Sequence, residues 1–269
     1  MPVRTDVAMG TLVTIDAPHP GDEAEAALDR AFRWFQEVES RCTRFDAGSE
    51  LMQLTAQVGV DVPASAILYE TLRFALMAAE ASGGAFDPTA ASGGEEVSYR
   101  DVALDPERKT ITLLRPLTLD LGAVAKGLAV DMAARELAPL RDFAVDAGGD
   151  LYLGGSNEHG EPWRVGIRHP RNEGELIGSL HVSNQAVCTS GDYERPGHIL
   201  DPRTGAASEG VASVTVIAPS AMLADALATA AFVLGPEEGV ALLESQGVVG
   251  LIVTAGLQQH KTRGWRHVA

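Results

Sequence analysis

Aromatic residues are scarce in this chain, 5% of 269 positions, so its core must be built from aliphatic side chains and alanine. Cysteine is scarcer. Only Cys42 and Cys188 occur, far apart and in no CxxC pattern, which argues against a zinc cage and leaves two reduced thiols as the expectation. Basic residues are outnumbered, 21 Lys and Arg against 37 Asp and Glu, for a formal net charge of −16. That balance argues against nonspecific binding to nucleic acid or to an anionic membrane, though a local pocket of cations and helix N-termini can still hold a phosphate. No apolar run approaches the ~20 residues of a membrane span, and residues 1–18 lack the apolar stretch of a signal peptide. The sequence therefore predicts a cytoplasmic protein with no membrane insertion and no nucleic-acid partner. GxGxxG and GxxxxGK[ST] are absent too, so neither a Rossmann cradle nor a P-loop is offered.

What is present is a mixture of short alternating runs and amphipathic stretches. Residues 10–18 alternate and are β-branched, as a strand requires. In 22–40, Ala24, Leu28, Phe32, Phe35 and Val38 recur at helical spacing. Helices are also predicted over 64–82, ended by Gly83 and Gly84, over 124–137, over 220–234 with Ser220 as N-cap, and over 236–246. Strands are predicted within 102–122, 142–155, 163–170, 178–190, 212–219 and 248–255. Paired strands interrupted by helices, with no regular βαβ alternation and no repeat or linker, read as a single α+β domain over 1–269, with antiparallel sheets flanked by helices.

Four segments carry chemistry. In "ADALATA" (224–230), Asp225 and Thr229 lie four apart on a helix and face one spot. A carboxylate with a hydroxyl suits Mg²⁺, although a surface Asp and a Thr bonded to its own backbone share that spacing. In "LDLGAVAKGLAVD" (119–131) a strand leads through Gly122 into a helix with Lys126 near its start. A lysine there opposes the helix dipole unless a negative group is nearby, whereas a solvated lysine is the plainer alternative. "DAGGDLYLGG" (146–155) places acids on both sides of a Gly-Gly step that also serves an ordinary hairpin. In "CTSGDYERPGHILDPRTG" (188–205), Ile199 and Leu200 interrupt a polar loop. They read as a hydrophobic peg that holds His198 and Asp201 in fixed geometry, as a general base requires.

Taken together, these segments resemble the FAD:protein FMN transferases, the ApbE flavin transferase family. The matching segments run in order from "MGTLVTI" (9–15) through "TRFDAGSEL" (43–51), "GGAFDPT" (83–89), "DLGAVAKGLAVD" (120–131), "DAGGDLYLGG" (146–155), "WRVGIRHP" (163–170), "TSGDYER" (189–195) and "HILDPRTG" (198–205) to "SVTVIAPSAMLADALATA" (213–230). The resemblance implies an ApbE-like, T-fold-like architecture. It also implies Mg²⁺-dependent cleavage of the FAD pyrophosphate, with FMN passing to a Thr or Ser hydroxyl of a partner flavoprotein and AMP leaving. By motif, Asp225 and Thr229 would hold Mg²⁺ with the carbonyls near Ala123 and Met222. Met9, Phe45, Ala85, Phe86, Asp87, Asp120 and Lys126 would line the FAD. His198 would be the base and a neighbour of the cofactor, with Asp201 holding its loop. Two other activities fit the same residues, an FAD pyrophosphatase and a flavin-binding protein without catalysis; the Asp225/Thr229 pair argues against the second.

Overall fold

The computed structural model describes residues 3–18, 23–93, 97–193, 197 and 199–268. The chain opens with strands β1 (Val3–Ala8) and β2 (Thr11–Asp16), then helices α1 (Ala24–Cys42) and α2 (Glu50–Thr55). Strand β3 (Val62–Pro63), helix α3 (Ala66–Ala81) and strands β4 (Val102–Asp105) and β5 (Thr110–Leu113) follow. Next come helix α4 (Gly122–Leu137) and strands β6 (Phe143–Ala147), β7 (Asp150–Gly154), β8 (Trp163–Arg168), β9 (Leu176–Val182), β10 (Gln185–Gly191) and β11 (Val211–Ala218). Helices α5 (Ala221–Leu234) and α6 (Pro236–Ser245) precede β12 (Val249–Thr254) and β13 (Gln259–Lys261).

The main sheet has the order β1-β2-β6-β7-β10-β11-β12-β13, and every neighbouring pair is antiparallel. Strands β3, β5 and β4 form a second small sheet, and β8 with β9 a third. One face of the main sheet packs on the helices, joining Val13, Ile15, Val145, Cys188, Val214 and Val216 to the core of α1, α3, α4 and α5. The other face is covered over its middle strands by the β8–β9 hairpin, where Ile167, Leu180 and Val182 meet Val187, Ile217, Leu251 and Trp265. An antiparallel strand usually leaves one face wet. Here β11 lies between two covered faces, so all eight of its residues are buried.

The predicted helices form with ends shifted by a few residues. Ser220 caps α5 as expected, accepting from Leu223 N at 3.4 Å. The first strand, β1, was absent from the sequence reading, because the polar and charged side chains of "VRTDVA" hide its alternation. The run 178–190 is two strands broken at Asn184, whose φ is +55°, and β12 is followed by β13 instead of closing the sheet. Among the described residues no helix is long and apolar enough to cross a membrane.

Two turns define one end of the sheet. Met9 and Gly10 join β1 to β2 with φ of +52° and +71°, and Gly148 and Gly149 join β6 to β7 with φ of +66° and +98°. Two-residue turns of this kind match the twist of the strands they connect. Because Val13 pairs with Ala147, both tips lie together, and a Cβ on Gly148 would fall 2.2 Å from Thr11 Oγ1. The same end receives α4 and α5. These helices touch backbone to backbone at Gly127, where a Cβ would lie 2.5 Å from Met222 Cα and 2.7 Å from Ala221 C. Gly127→Ala should therefore destabilise the chain by about 3 kcal/mol, the upper part of the usual overpacking range. Urea denaturation measures it; an unchanged midpoint would mean that the helices can part at no cost.

Candidate functional site

The floor of the site is the row of side chains that β7 and β10 turn toward the helices. Asp150 pairs with Ala147 across the turn, and extending the β7–β10 register by one residue sets Asp150 opposite Cys188. One pleat further along β10, Ser190 Oγ lies 3.3 Å from Thr229 Oγ1 on α5. Lys126 reaches down from α4 and forms an ion pair with Asp150, whose side chain is almost wholly buried. Burial by itself would lower the Lys126 pKa. The Asp150 and Asp225 carboxylates outweigh it and hold the ammonium above the ordinary lysine range, so it stays charged. Asp225 is the one charged residue of α5, a helix buried along most of its length. Cys188 donates toward Ala221 O at 3.5 Å, and burial together with Asp150 and Asp225 pushes its thiol well above the ordinary value.

A second layer surrounds the start of α4. Asp120 Oδ1 accepts from Gly122 N at 2.9 Å, and its other oxygen pairs with Arg44 Nε at 2.9 Å. Arg44 in turn lies over the Phe45 ring at 4.5 Å, and Phe45 is 79% exposed. Met9 gives its backbone N–H to Glu39 at 3.0 Å. The loop through Ala85, Phe86 and Asp87 runs beside Asp120, whose N–H donates to Pro88 O at 2.8 Å. Within that loop the Ala85 and Phe86 side chains are buried in the core. Asp87 accepts from Thr89 and from Tyr99 N, so its carboxylate stiffens the loop.

The polar loop after β10 is anchored at both ends. Arg171 in the β8–β9 turn grips Asp192 with two bonds of 2.6 and 2.7 Å. Ile199 is 8% exposed and belongs to the main core, while Leu200 bridges to Ala207. Asp201 accepts from Arg203 N, Nε and Nη2, and Arg203 holds its carboxyl below the usual range. His198 itself lies outside the described residues.

The ApbE family model matches residues 9–95 and 91–252. The chain belongs to the ApbE family. The FAD:protein FMN transferase of Treponema pallidum is 34% identical over 93% of this chain and 83% of that protein. The one from Haemophilus influenzae is 32% identical over 58% of this chain and 50% of that protein. Among solved structures, the ApbE protein of Thermotoga maritima superposes with a TM-score of 0.90 at 27% identity, covering 99% and 98% of the two chains. The flavinyl transferase ApbE of Pseudomonas stutzeri gives 0.85 at 26% identity, covering 99% and 96%. The α+β fold with antiparallel sheets is thus the ApbE fold.

Of the residues singled out by sequence, Lys126 and Asp225 come together within one electrostatic cluster, with Thr229 one helical turn beyond Asp225. Ala123 and Met222 sit in the first turns of α4 and α5, the two helices that carry them. The negative group expected near Lys126 is supplied by the protein itself, as Asp150. The local sequence puts that residue in a hairpin turn and offers it no partner. Asp131 was also missed. It accepts from Ala221 N at 2.7 Å and Met222 N at 3.1 Å, tying α4 to the start of α5. Its signal was faint, an acid ending the "AKGLAVD" run. The donor set suits Mg²⁺, since Asp225 and Thr229 offer hard oxygens one turn apart on α5. Cavities of about 270 Å³ beside Trp265 and about 390 Å³ beside Tyr99 lie on other elements.

Two outcomes follow. Both thiols are unpaired and buried, and burial pushes that of Cys42 up to about 12. A thiol reagent at pH 8 should find no reactive cysteine in the native protein and two after unfolding without reductant; two fast thiols in the native state would contradict the packing. Burial also pushes the Asp131 carboxyl from its usual 3.8 up to about 6, against the pull of the two amides. The folded chain then holds a proton that the unfolded chain has lost between those values. This group's contribution to stability is therefore full below pH ~4 and is lost as pH rises through ~6. The difference in unfolding free energy between wild type and Asp131→Asn should decline across that window, and a flat difference would refute it.

Proposed function

We propose that the protein is a Mg²⁺-dependent FAD:protein FMN transferase. It would cleave the FAD pyrophosphate, pass FMN to a Thr or Ser hydroxyl of a partner flavoprotein, and release AMP. The observation that carries this reading is the pairing of Lys126 with the buried Asp150 carboxylate beside Asp225, in a chain of the ApbE family. Curated relatives across that family bear the same transferase name.

The charges argue for a metal. A pyrophosphate brought beside the Asp150 and Asp225 carboxylates would be repelled by roughly 3 kcal/mol per unit charge at ~6 Å and an effective dielectric of ~20. Asp225 and Thr229 would hold a divalent cation, which would supply charge neutralisation to the scissile phosphoanhydride. Lys126, fixed on Asp150 and permanently charged, then faces the same phosphates without having to be ordered during the reaction. Asp120 and the rigid loop at Ala85, Phe86 and Asp87, with Met9 and Phe45, are assigned to the nucleoside and flavin ends. His198 is assigned as the base toward the acceptor hydroxyl, because the loop beside it is pinned by Ile199 and by the Asp201–Arg203 pair.

Incubation of the purified protein with FAD, Mg²⁺ and a candidate acceptor, followed by mass spectrometry, tests the reading. The acceptor should gain the mass of FMN less water, with AMP in equal amount. FMN accumulating free at the same rate with or without acceptor would assign the pyrophosphatase activity instead. Asp225→Ala should abolish turnover with Mg²⁺, and wild-type turnover would remove Asp225 from the metal site. His198→Ala should retain FAD affinity and lose ~10²–10⁴ in transfer rate. The wild-type rate should rise with pH through a value near the ordinary histidine pKa of ~6.5. Normal transfer by that variant would leave His198 without a catalytic role.

A further inference from the structure

Two acceptors serve the first turn of α5. Ser220 is the usual kind of cap and accepts from Leu223 N at 3.4 Å. Asp131 is different: it belongs to another helix, α4, and its two oxygens bind the successive amides of Ala221 and Met222 at 2.7 and 3.1 Å. Four residues before it, on the same side of α4, Gly127 meets the backbone of the same two residues. Gly127 sets how closely the helices approach. A carboxylate engaging two neighbouring amides fixes direction as well as distance, which one hydroxyl does not. The residues held by this joint are those of the site. Lys126 adjoins Gly127 on α4, Asp225 lies one turn into α5 from Ala221, and Thr229 lies one turn further.

We infer that Asp131 is a positioning residue, which seats the first turn of α5 on α4 so that Asp225 and Thr229 present their oxygens to a divalent cation opposite Lys126 and Asp150. It acts through Ala221 and Met222. This inference rests on the reading of Asp225 and Thr229 as metal ligands. A cap that only stabilised the helix would leave metal affinity alone, whereas displacement of a ligand set by more than ~0.5 Å degrades it.

The test measures Mn²⁺ binding to the purified protein without FAD by electron paramagnetic resonance, the Mg²⁺ concentration for half-maximal turnover, and the thermal midpoint. Asp131→Asn keeps the shape but turns an NH₂ group toward one of the two amides. It should weaken Mn²⁺ binding about tenfold and raise the Mg²⁺ requirement by a similar factor, with the KM for FAD at saturating metal within about twofold of wild type. Asp131→Glu keeps the charge and displaces it by one methylene. It should do the same, and it decides the matter if the Asn variant does not fold. Ser220→Ala removes the ordinary cap, and it should lower the midpoint while leaving Mn²⁺ affinity unchanged. Asp131 variants that lose stability yet bind Mn²⁺ as wild type does would overturn the inference and leave Asp131 as a second cap. If instead wild type and Asp225→Ala bind Mn²⁺ equally, the metal reading itself fails and the inference falls with it.

Discussion

A half-buried ammonium on a buried carboxylate organises this end of the molecule. Lys126 and Asp150 come from a helix and a strand that are adjacent only because the sheet order places β7 under α4. Neither charge could be buried alone, since a lone ion in such surroundings costs several kcal/mol. Asp225 adds a second carboxylate beside them, on a helix otherwise made of apolar and small residues.

The scarcity of aromatics has a structural counterpart. α4 and α5 meet through Gly127 and alanines, and the backbones come close enough for Asp131 on one helix to bond the first amides of the other. Bulkier side chains at that joint would separate the helices and break those bonds. Close packing of small residues and the polar joint thus depend on each other. The same economy appears in the sheet, where Gly148 admits Thr11 and lets two hairpin tips nest.

The described residues between Asp192 and Ser208 are anchored at several points. Arg171 holds Asp192, Ile199 enters the core, and Asp201 closes on Arg203. Of the Ile-Leu pair within so polar a stretch, Ile199 alone is buried in the core, while Leu200 is half-buried and bridges to Ala207.

Much of this was determined by the sequence alone. Helical spacing marked α1 and α3, Ser220 marked the start of α5, and the alternating runs marked most strands, because local periodicity reports which face is buried. The ordered motifs pointed to the family, and the spacing of Asp225 and Thr229 placed them one turn apart. The sequence could not say which negative group answers Lys126, because Asp150 stands 24 residues away and pairs with it only through strand order. Nor could it show that Asp131 serves α5, since that contact spans 90 residues. Strand β1 was hidden for a related reason: as an edge strand it presents few buried side chains, so no pattern recorded it. Periodicity belongs to one element at a time. The pairing of charges, and the capping of one helix by another, exist only once the elements are packed.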